Sequence, residues 1–132
     1  MAGLLHVELV AADRLVWSGE ATMVIARTTE GDVGILPNHA PMLSVVIEGV
    51  VDIQTDEGET WVAAVDAGFL SVANNRISIL AEHAEMSHDI DLEKARTDLE
   101  RCRSEGAGDD EAMEKAEGAW AEARIRAAER RD

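Results

Sequence analysis

The sequence predicts a β + α fold class, with an N-terminal antiparallel β-sandwich followed by a C-terminal antiparallel two-helix hairpin. Up to about residue 85, apolar residues alternate with polar ones or form short runs between turn residues, as in all-β domains. After His88, Glu, Lys, Arg and Ala dominate and apolar residues recur at helical spacing. A length of 132 residues suits one compact domain with an appendage. We therefore assign residues 1–86 to the sandwich and residues 87–132 to the helical domain.

Seven strands are predicted from the period-two pattern and from the apolar runs. They are Leu5–Val10, Thr22–Arg27, Leu43–Ile47, Val50–Thr55, Thr60–Asp66, Phe69–Val72 and Arg76–Ala81. Residues 56–58 (Asp-Glu-Gly) and 74–75 (Asn-Asn) are hairpin signals because Gly and Asn tolerate positive φ. Neighbouring strands should therefore run antiparallel. With few aromatic residues in the chain, we expect Trp61 and Phe69 to lie in an otherwise aliphatic core.

The segment 31–44, GDVGILPNHAPMLS, holds both prolines and two glycines, and it is predicted to be one stiff loop. Proline fixes φ, and glycine permits a tight reversal. Glu30 and Asp32 at the entrance give the loop an acidic edge. A preorganised loop loses little entropy when a partner docks, so the segment is interpreted either as a docking element or as a rigid connection between strands.

Two helices are predicted after the sandwich. Asp89 or Asp91 can cap the first, whose apolar face carries Leu92, Ala95, Leu99 and Cys102. Residues 104–108 break the pattern, and Asp109 or Asp110 can cap the second helix. Its apolar face carries Met113, Ala116, Trp120, Ala123 and Ala127. Both apolar stripes are thin and rich in alanine, so the hairpin should be marginal unless it docks on another surface.

The remaining composition excludes several classes of function. The chain lacks a Gly-x-Ser-x-Gly elbow, a Cys-x-x-Cys pair, a His-Glu-x-x-His helix and a phosphate-binding loop, so no catalytic residue and no metal site is predicted. A net charge of −15 disfavours nucleic acid as a partner. No apolar run is long enough to span a bilayer, and we expect a soluble, cytoplasmic protein.

The segment 31–44 resembles the Gly-x-x-Gly-Ile-x-Pro-x-His-x-Pro-Leu-Leu loop of the epsilon subunits of bacterial F-type ATP synthases. The similarity extends along the chain, through "HVELVAADRLVWSGEA", "VDAGFLSVANNRISILAEHAE" and "DIDLEKA". The loop positions that match are Gly31, Gly34, Ile35, Pro37, His39, Pro41 and Leu43, with Met42 in place of a leucine.

This resemblance implies a non-catalytic subunit of the central stalk, with no required cofactor. The sandwich would bind the gamma subunit and rest on the c-subunit ring, coupling proton-driven rotation to ATP synthesis. The residues facing the ring would be Glu30, Gly31, Asp32, Pro37 and His39. The subunit would lie at the cytoplasmic face of the bacterial membrane, associated with it only through the complex.

The resemblance also implies regulation by the helices, which would inhibit ATP hydrolysis by extending toward the catalytic alpha and beta subunits. Its candidate contacts are Arg124, Arg126, Arg130 and Arg131, although these cations also complement the helix dipole. ATP would be a weak regulatory ligand of Ile90, Asp91, Lys94 and Arg101. Lys94 and Asp98 depart from the family's Arg and Ala, which should weaken nucleotide binding.

A different class of function is consistent with the same predicted fold. A small sandwich with a helical tail could be a ligand-binding or enzyme-accessory module whose helices mediate oligomerisation. Such a module should have a concave pocket with convergent polar groups. The presence or absence of such a pocket therefore distinguishes the two interpretations.

Overall fold

The computed structural model describes residues 3–104 and 111–130, and within these the side chains of 103–104 and 111–117 are left aside. The strands are β1 (Leu5–Val10), β2 (Leu15–Ala21), β3 (Met23–Thr28), β4 (Gly31–Ile35), β5 (Met42–Val46), β6 (Gly49–Gln54), β7 (Thr60–Val65), β8 (Gly68–Ala73), β9 (Arg76–Ala81) and β10 (Ala84–Met86). A short 3₁₀ turn (Ser87–Asp89), α1 (Leu92–Ser104) and α2 (Glu111–Glu129) follow. The predicted fold class, a β-sandwich followed by two helices, is confirmed.

The strands pair in the order β10-β7-β6-β3-β5-β8-β9-β1-β2, with β4 added to β3. The pairs are antiparallel except β1 with β9, which is parallel. The prediction of antiparallel neighbours is therefore correct apart from this one pair. β10 also approaches β2, so the two ends of the strand order lie close together.

The core between the two layers is aliphatic, as the composition predicts. Its fully buried side chains include Leu5, Leu9, Ile35, Ile53, Leu70, Ile77 and Ile79. Trp61 is only half-buried against this core. The prediction that Phe69 is a core residue is wrong, because Leu70 and Val72 occupy the inward positions of β8 and leave Phe69 outside, 55% exposed.

The interpretation of residues 31–44 as one loop is also wrong. Residues 31–35 form β4 and residues 42–46 form β5, which leaves only 36–41 as the connection. β4 pairs with β3 alone, and only Ile35 of this strand is buried. An edge strand with one buried side chain has no period-two pattern, which explains why the sequence did not predict it.

The helices dock on the sandwich through α2, and α1 packs against α2. An apolar cluster joins Val62 and Ala64 of β7 to Ile90 and to the alanines of α2, which are Ala123, Ala127 and Ala128. Asp91 caps α1, as predicted, because its Oδ1 accepts a hydrogen bond from the Lys94 N–H at 3.1 Å. Asp109, Asp110 and Arg131 lie outside the described residues. Neither helix, as far as it is described, is both long and apolar enough to cross a membrane.

Candidate functional site

Five adjacent strands present apolar side chains in register on the outer face of the sandwich, four of them exposed and one, Val10, half-buried. Val45 of β5 lies opposite Phe69 of β8, and Phe69 lies opposite Leu80 of β9. Leu80 lies opposite Val10 of β1, which in turn lies opposite Leu15 of β2. We call these five residues the apolar ladder. It runs across five of the nine strands in the strand order.

The apolar ladder is exposed enough to be a binding surface. Leu15, Val45, Phe69 and Leu80 are 56%, 44%, 55% and 51% exposed, and Leu43, two residues before Val45, is 74% exposed. Exposed apolar residues scattered singly are normal, but a contiguous row is typical of a protein interaction site. The sequence does contain a signal for this surface, which is a pair of consecutive apolar residues such as Phe69-Leu70. Because side chains alternate between the two faces of a strand, one residue of such a pair must point outward.

The residues predicted to face the c ring lie in two separate places. Glu30 lies in the turn between β3 and β4, and Gly31 and Asp32 are the first two residues of β4. Pro37 and His39 lie in the connection at the other end of β4. At about 3.3 Å per strand residue, the two groups are about 15 Å apart. The structure therefore presents two loops, at opposite ends of one edge strand, where the sequence suggested a single loop.

The first of these loops is held by a buried side chain. The Thr28 hydroxyl donates to the Gly31 carbonyl at 2.9 Å and accepts from the Glu30 N–H at 3.2 Å, and Thr28 is 1% exposed. Gly31 has φ of 108°, a conformation that favours glycine. Glu30 and Asp32 are exposed. The turn is thus rigid while its acidic groups remain accessible.

The second loop is tied to the β8–β9 turn. Asn38, with φ of 70°, donates its backbone N–H to Oδ1 of Asn75 at 2.6 Å. His39 is half-buried, and its Nδ1 lies 2.6 Å from the Ala40 carbonyl. Sequence reasoning identified Asn75 as a turn residue but missed its contact with Asn38, because the two are 37 positions apart.

Two of the predicted inhibitory arginines are engaged by the sandwich. Nη1 of Arg130 donates to Oδ2 of Asp52 at 2.9 Å, and Nη2 lies 2.7 Å from Oδ1. Arg124 is only 8% exposed; its Nε lies 3.0 Å from Glu85 Oε1 and its Nη1 3.4 Å from Asp98 Oδ2. Arg126 is exposed and lies 3.8 Å from Glu122 within α2.

The predicted ATP-binding residues have mixed surroundings. Ile90 packs in the apolar cluster under α2, and Asp91 caps α1. Lys94 and Arg101 are exposed, and Arg101 lies 3.7 Å from Asp98. Because Asp98 also lies beside Arg124, this carboxylate occupies a position where it would repel a phosphate. ATP binding at these residues remains a prediction.

A cleft of about 290 Å³ lies between the end of α2 and the sandwich. Its lining is mostly charged, and the charges are balanced. It consists of Arg27, Asp32, Asp52, Arg126, Glu129 and Arg130, with Ile25 and Val50. Arg130 and Asp52 in this lining pair with one another, so at least part of its polar groups is already engaged within the chain.

One group of potential metal ligands occurs among the described residues. Ligand atoms of Asp66, Glu82 and His83 lie within 4.8 Å of one another. His83 Nδ1 is 3.0 Å from Asp66 Oδ2, and the His83 ring centroid is 5.8 Å from that of Trp120 on α2. An ordinary Asp–His hydrogen bond beside an aromatic ring accounts for this arrangement.

Comparison with known proteins gives consistent results. Residues 4–87 match the family model described as the ATP synthase delta/epsilon chain β-sandwich domain. The ATP synthase epsilon chain of Streptomyces avermitilis is 58% identical over 106 residues, covering 80% of this chain and 86% of that one. The epsilon chain of Rhodococcus jostii is 50% identical over 125 residues, covering 94% and 95%.

Solved structures share the fold at lower identity. A chain in the cryo-EM structure of the Euglena gracilis mitochondrial ATP synthase, comprising OSCP, F1 and the c-ring, has a TM-score of 0.81 and 21% identity over 95% of this chain and 81% of that one. A chain in the Tetrahymena thermophila mitochondrial ATP synthase central stalk and c-ring has a TM-score of 0.58 and 16% identity, covering 97% and 96%.

Proposed function

This chain belongs to the epsilon-chain family of ATP synthases, and we propose that it serves that enzyme as a non-catalytic rotor subunit of the central stalk. In this role it connects the c-subunit ring to the gamma subunit, so that rotation driven by protons is coupled to ATP synthesis. It lies at the cytoplasmic face of the bacterial membrane and is held there by the complex. The observation that carries the proposal is the apolar ladder.

The apolar ladder is the surface we assign to the gamma subunit. It covers β5, β8, β9, β1 and β2, whereas the outer face of β6 and β7 is covered by α2. The ladder is therefore an exposed apolar surface that the chain's own described helices do not cover. A rotor must keep its subunits together under torque, and burial of a contiguous apolar surface provides such an attachment.

Replacing Phe69 by Glu tests this assignment. Phe69 is the central residue of the apolar ladder, and a carboxylate there would be desolvated on docking, so we expect binding to gamma to weaken at least ~30-fold. Thr60→Glu on β7 is the matched control, because Thr60 is exposed away from the apolar ladder. The measurement is titration with purified gamma subunit. Equal affinity of the Phe69→Glu variant and the unaltered protein would contradict the assignment.

The two loops at the ends of β4 are the surface we assign to the c ring. Both loops are rigid, one through Thr28 and the other through Asn38 and Asn75, and a stiff contact transmits torque with little loss in deformation. The carboxylates of Glu30 and Asp32 can pair with basic groups on the ring. Neutralising both, as Glu30→Gln with Asp32→Asn, should lower ring binding and proton-coupled ATP synthesis. Unchanged values of both would contradict this role.

The helical hairpin is the regulatory part of the proposal. Its apolar contact with the sandwich is made largely by alanines, so docking buries little area and can be reversed. Undocked helices could reach the catalytic alpha and beta subunits with their arginines and inhibit ATP hydrolysis. Reversible docking of a marginal element is a common basis for such switching.

ATP is a weak ligand at most in this proposal. The carboxylate of Asp98 lies 3.4 Å from Arg124, so an incoming phosphate would compete with it for that cation. Lys94 offers a point charge where arginine would offer a planar fork. Isothermal titration at millimolar ATP should therefore show little heat. Replacing Asp98 by Ala should increase the heat if this carboxylate is the obstacle.

A further inference from the structure

Asp52 is a nearly buried carboxylate whose cross-strand neighbours are apolar. It lies in the middle of β6, opposite Ile25 of β3 and Val62 of β7, and it is 8% exposed. A carboxylate with such neighbours is costly unless a cation compensates for its lost hydration. The compensating cation comes from the far end of the chain, 78 residues away.

Arg130 provides that cation in a favourable geometry. Two of its guanidinium nitrogens face the two carboxylate oxygens of Asp52, at 2.9 Å and 2.7 Å. The Nη1–Oδ2 contact has hydrogen-bond geometry, whereas the Nη2–Oδ1 contact is a close ion pair, and the Arg130 side chain stays 50% exposed. Arg130 follows directly after the last residue of α2, Glu129, so its contact fixes the end of that helix on the sandwich.

A second ionic contact lies six residues earlier on α2. Arg124 is held between Glu85 of β10 and Asp98 of α1. Along a helix, six residues correspond to about 9 Å. Between these contacts only the small side chains of Ala127 and Ala128 are buried against the sandwich. Two ion pairs with the sandwich, Arg124–Glu85 and Arg130–Asp52, therefore accompany the apolar contact of α2.

We propose that Asp52 is a latch that holds the hairpin on the sandwich and competes with acidic groups of the catalytic subunits for Arg130. The competition rests on the proposed inhibitory role of the hairpin, whereas the latch itself does not. A guanidinium that faces Asp52 cannot face a second carboxylate with the same two nitrogens. The docked state and the inhibitory state are thus mutually exclusive at a single side chain.

The latch is tested on the isolated full-length chain by hydrogen exchange of the α2 amides. Asp52→Asn keeps the shape of the side chain and removes its charge, and Arg130→Gln removes the partner without touching the sheet. Losing a charge-assisted hydrogen bond of this kind should raise the exchange rate about 10-fold to 100-fold in both variants. Arg126→Gln is the matched control, since the Arg126 guanidinium lies near Glu122 of the same helix and not on Asp52. Exchange that is unchanged in both Asp52→Asn and Arg130→Gln would overturn the latch.

The competition is tested in the assembled ATP synthase by measuring ATP hydrolysis. Asp52→Asn frees Arg130, so inhibition should become stronger, whereas Arg130→Gln removes the competing group, so inhibition should become weaker. Effects of the same sign would overturn the competition. If both variants open the hairpin but leave hydrolysis unchanged, the latch stands and the inhibitory role in the proposed function is wrong. Glu8→Gln, at an exposed position of β1, is the control for the loss of one acidic charge.

Discussion

Single residues fix the geometry of the sandwich where two strands come closest. At Gly68 an added Cβ would lie 1.8 Å from the Leu80 carbonyl oxygen and 2.8 Å from the Ala81 Cα. Both are backbone atoms, which cannot move aside as the end of a flexible side chain can. The absence of a side chain at Gly68 therefore allows β8 and β9 to pair, and with them the part of the apolar ladder that holds Phe69 and Leu80.

Gly68→Ala should consequently destabilise the protein by about 2–4 kcal/mol, because the two strands must separate to accept the methyl group. Gly34→Ala is the matched control, since an added Cβ at Gly34 meets nothing within 4 Å and β4 is an edge strand. Urea unfolding of the two variants measures the difference. Equal midpoints for Gly34→Ala and Gly68→Ala would show that the strands tolerate the methyl group.

At the same scale, the turn before β4 depends on one hydroxyl. Thr28 is nearly fully buried and makes two hydrogen bonds to the backbone of its own turn. Thr28→Val keeps the shape and leaves the Glu30 N–H and the Gly31 carbonyl without this partner, so we expect a loss of about 1–2 kcal/mol. Faster amide exchange at residues 29–32 should accompany it. The control is Thr60→Val, at an exposed strand end. If Thr28→Val left the free energy of unfolding unchanged, water would have to replace the hydroxyl as the hydrogen-bond partner of the turn.

At the scale of elements, α2 can approach β7 because the contact positions are alanines. Ala123 and Ala127 have 0% exposure, and they meet Val62 and Ala64. Small residues let the helix approach closely enough for Arg124 and Arg130 to reach their carboxylates. The packing and the ion pairs therefore depend on one another, and disturbing the first should disturb the second.

Ala127→Leu should undock the hairpin without unfolding the sandwich. A leucine at this position has no space, and lifting α2 also separates Arg130 from Asp52. We expect amide exchange of α2 to become at least ~10-fold faster while the exchange of β8 and β9 stays unchanged. Thr97→Leu, at an exposed position of α1, controls for the added leucine. Protected α2 amides in Ala127→Leu would contradict this expectation, because they would mean that the contact between α2 and β7 can widen without the helix undocking.

At the scale of the whole molecule, the two outer surfaces of the sandwich differ in what covers them. The outer face of β6 and β7 is covered by the chain's own α2, and that contact is ionic and rich in alanine. The apolar ladder on the other strands is uncovered. We attribute the permanent attachment to gamma to the apolar ladder and the reversible contact to the face that α2 covers, because the ladder offers large apolar side chains whereas the α2 contact consists largely of alanines, which bury little area.

A chain ending at His88 separates these two roles. It retains the ten strands, including the apolar ladder, and lacks both helices. In the assembled enzyme it should still bind gamma, and the ATP hydrolysis rate should rise because the arginines that we propose to be inhibitory are missing. The assay compares hydrolysis and ATP synthesis with those of the full-length subunit. Loss of gamma binding on truncation would show that the helices contribute to the attachment.

All seven predicted strands and both helices could be located from the sequence closely, because they depend on contacts between residues a few positions apart. The hairpin signal at 74–75 and the Asp91 cap are examples, and Asn74 and Asn75 do adopt positive φ. The family resemblance likewise needed only the order and spacing of residues. The edge strands β2 and β4 and the three-residue β10 were missed since their alternation is short or interrupted by glycine or serine.

Only the tertiary structure decided whether a given side chain is buried or exposed and which distant residue it contacts. Phe69 and Leu70 are adjacent and equally apolar, and the pairing of β8 between β5 and β9 places one outside and one inside. Asp52 would look like a solvent-facing residue of β6 until α2 covers it with Arg130. The sequence by itself determined the helices, seven of the ten strands and the family, because local chemistry and residue order suffice for these. The binding surface and the latch depended on contacts between distant parts of the chain, which local patterns do not contain.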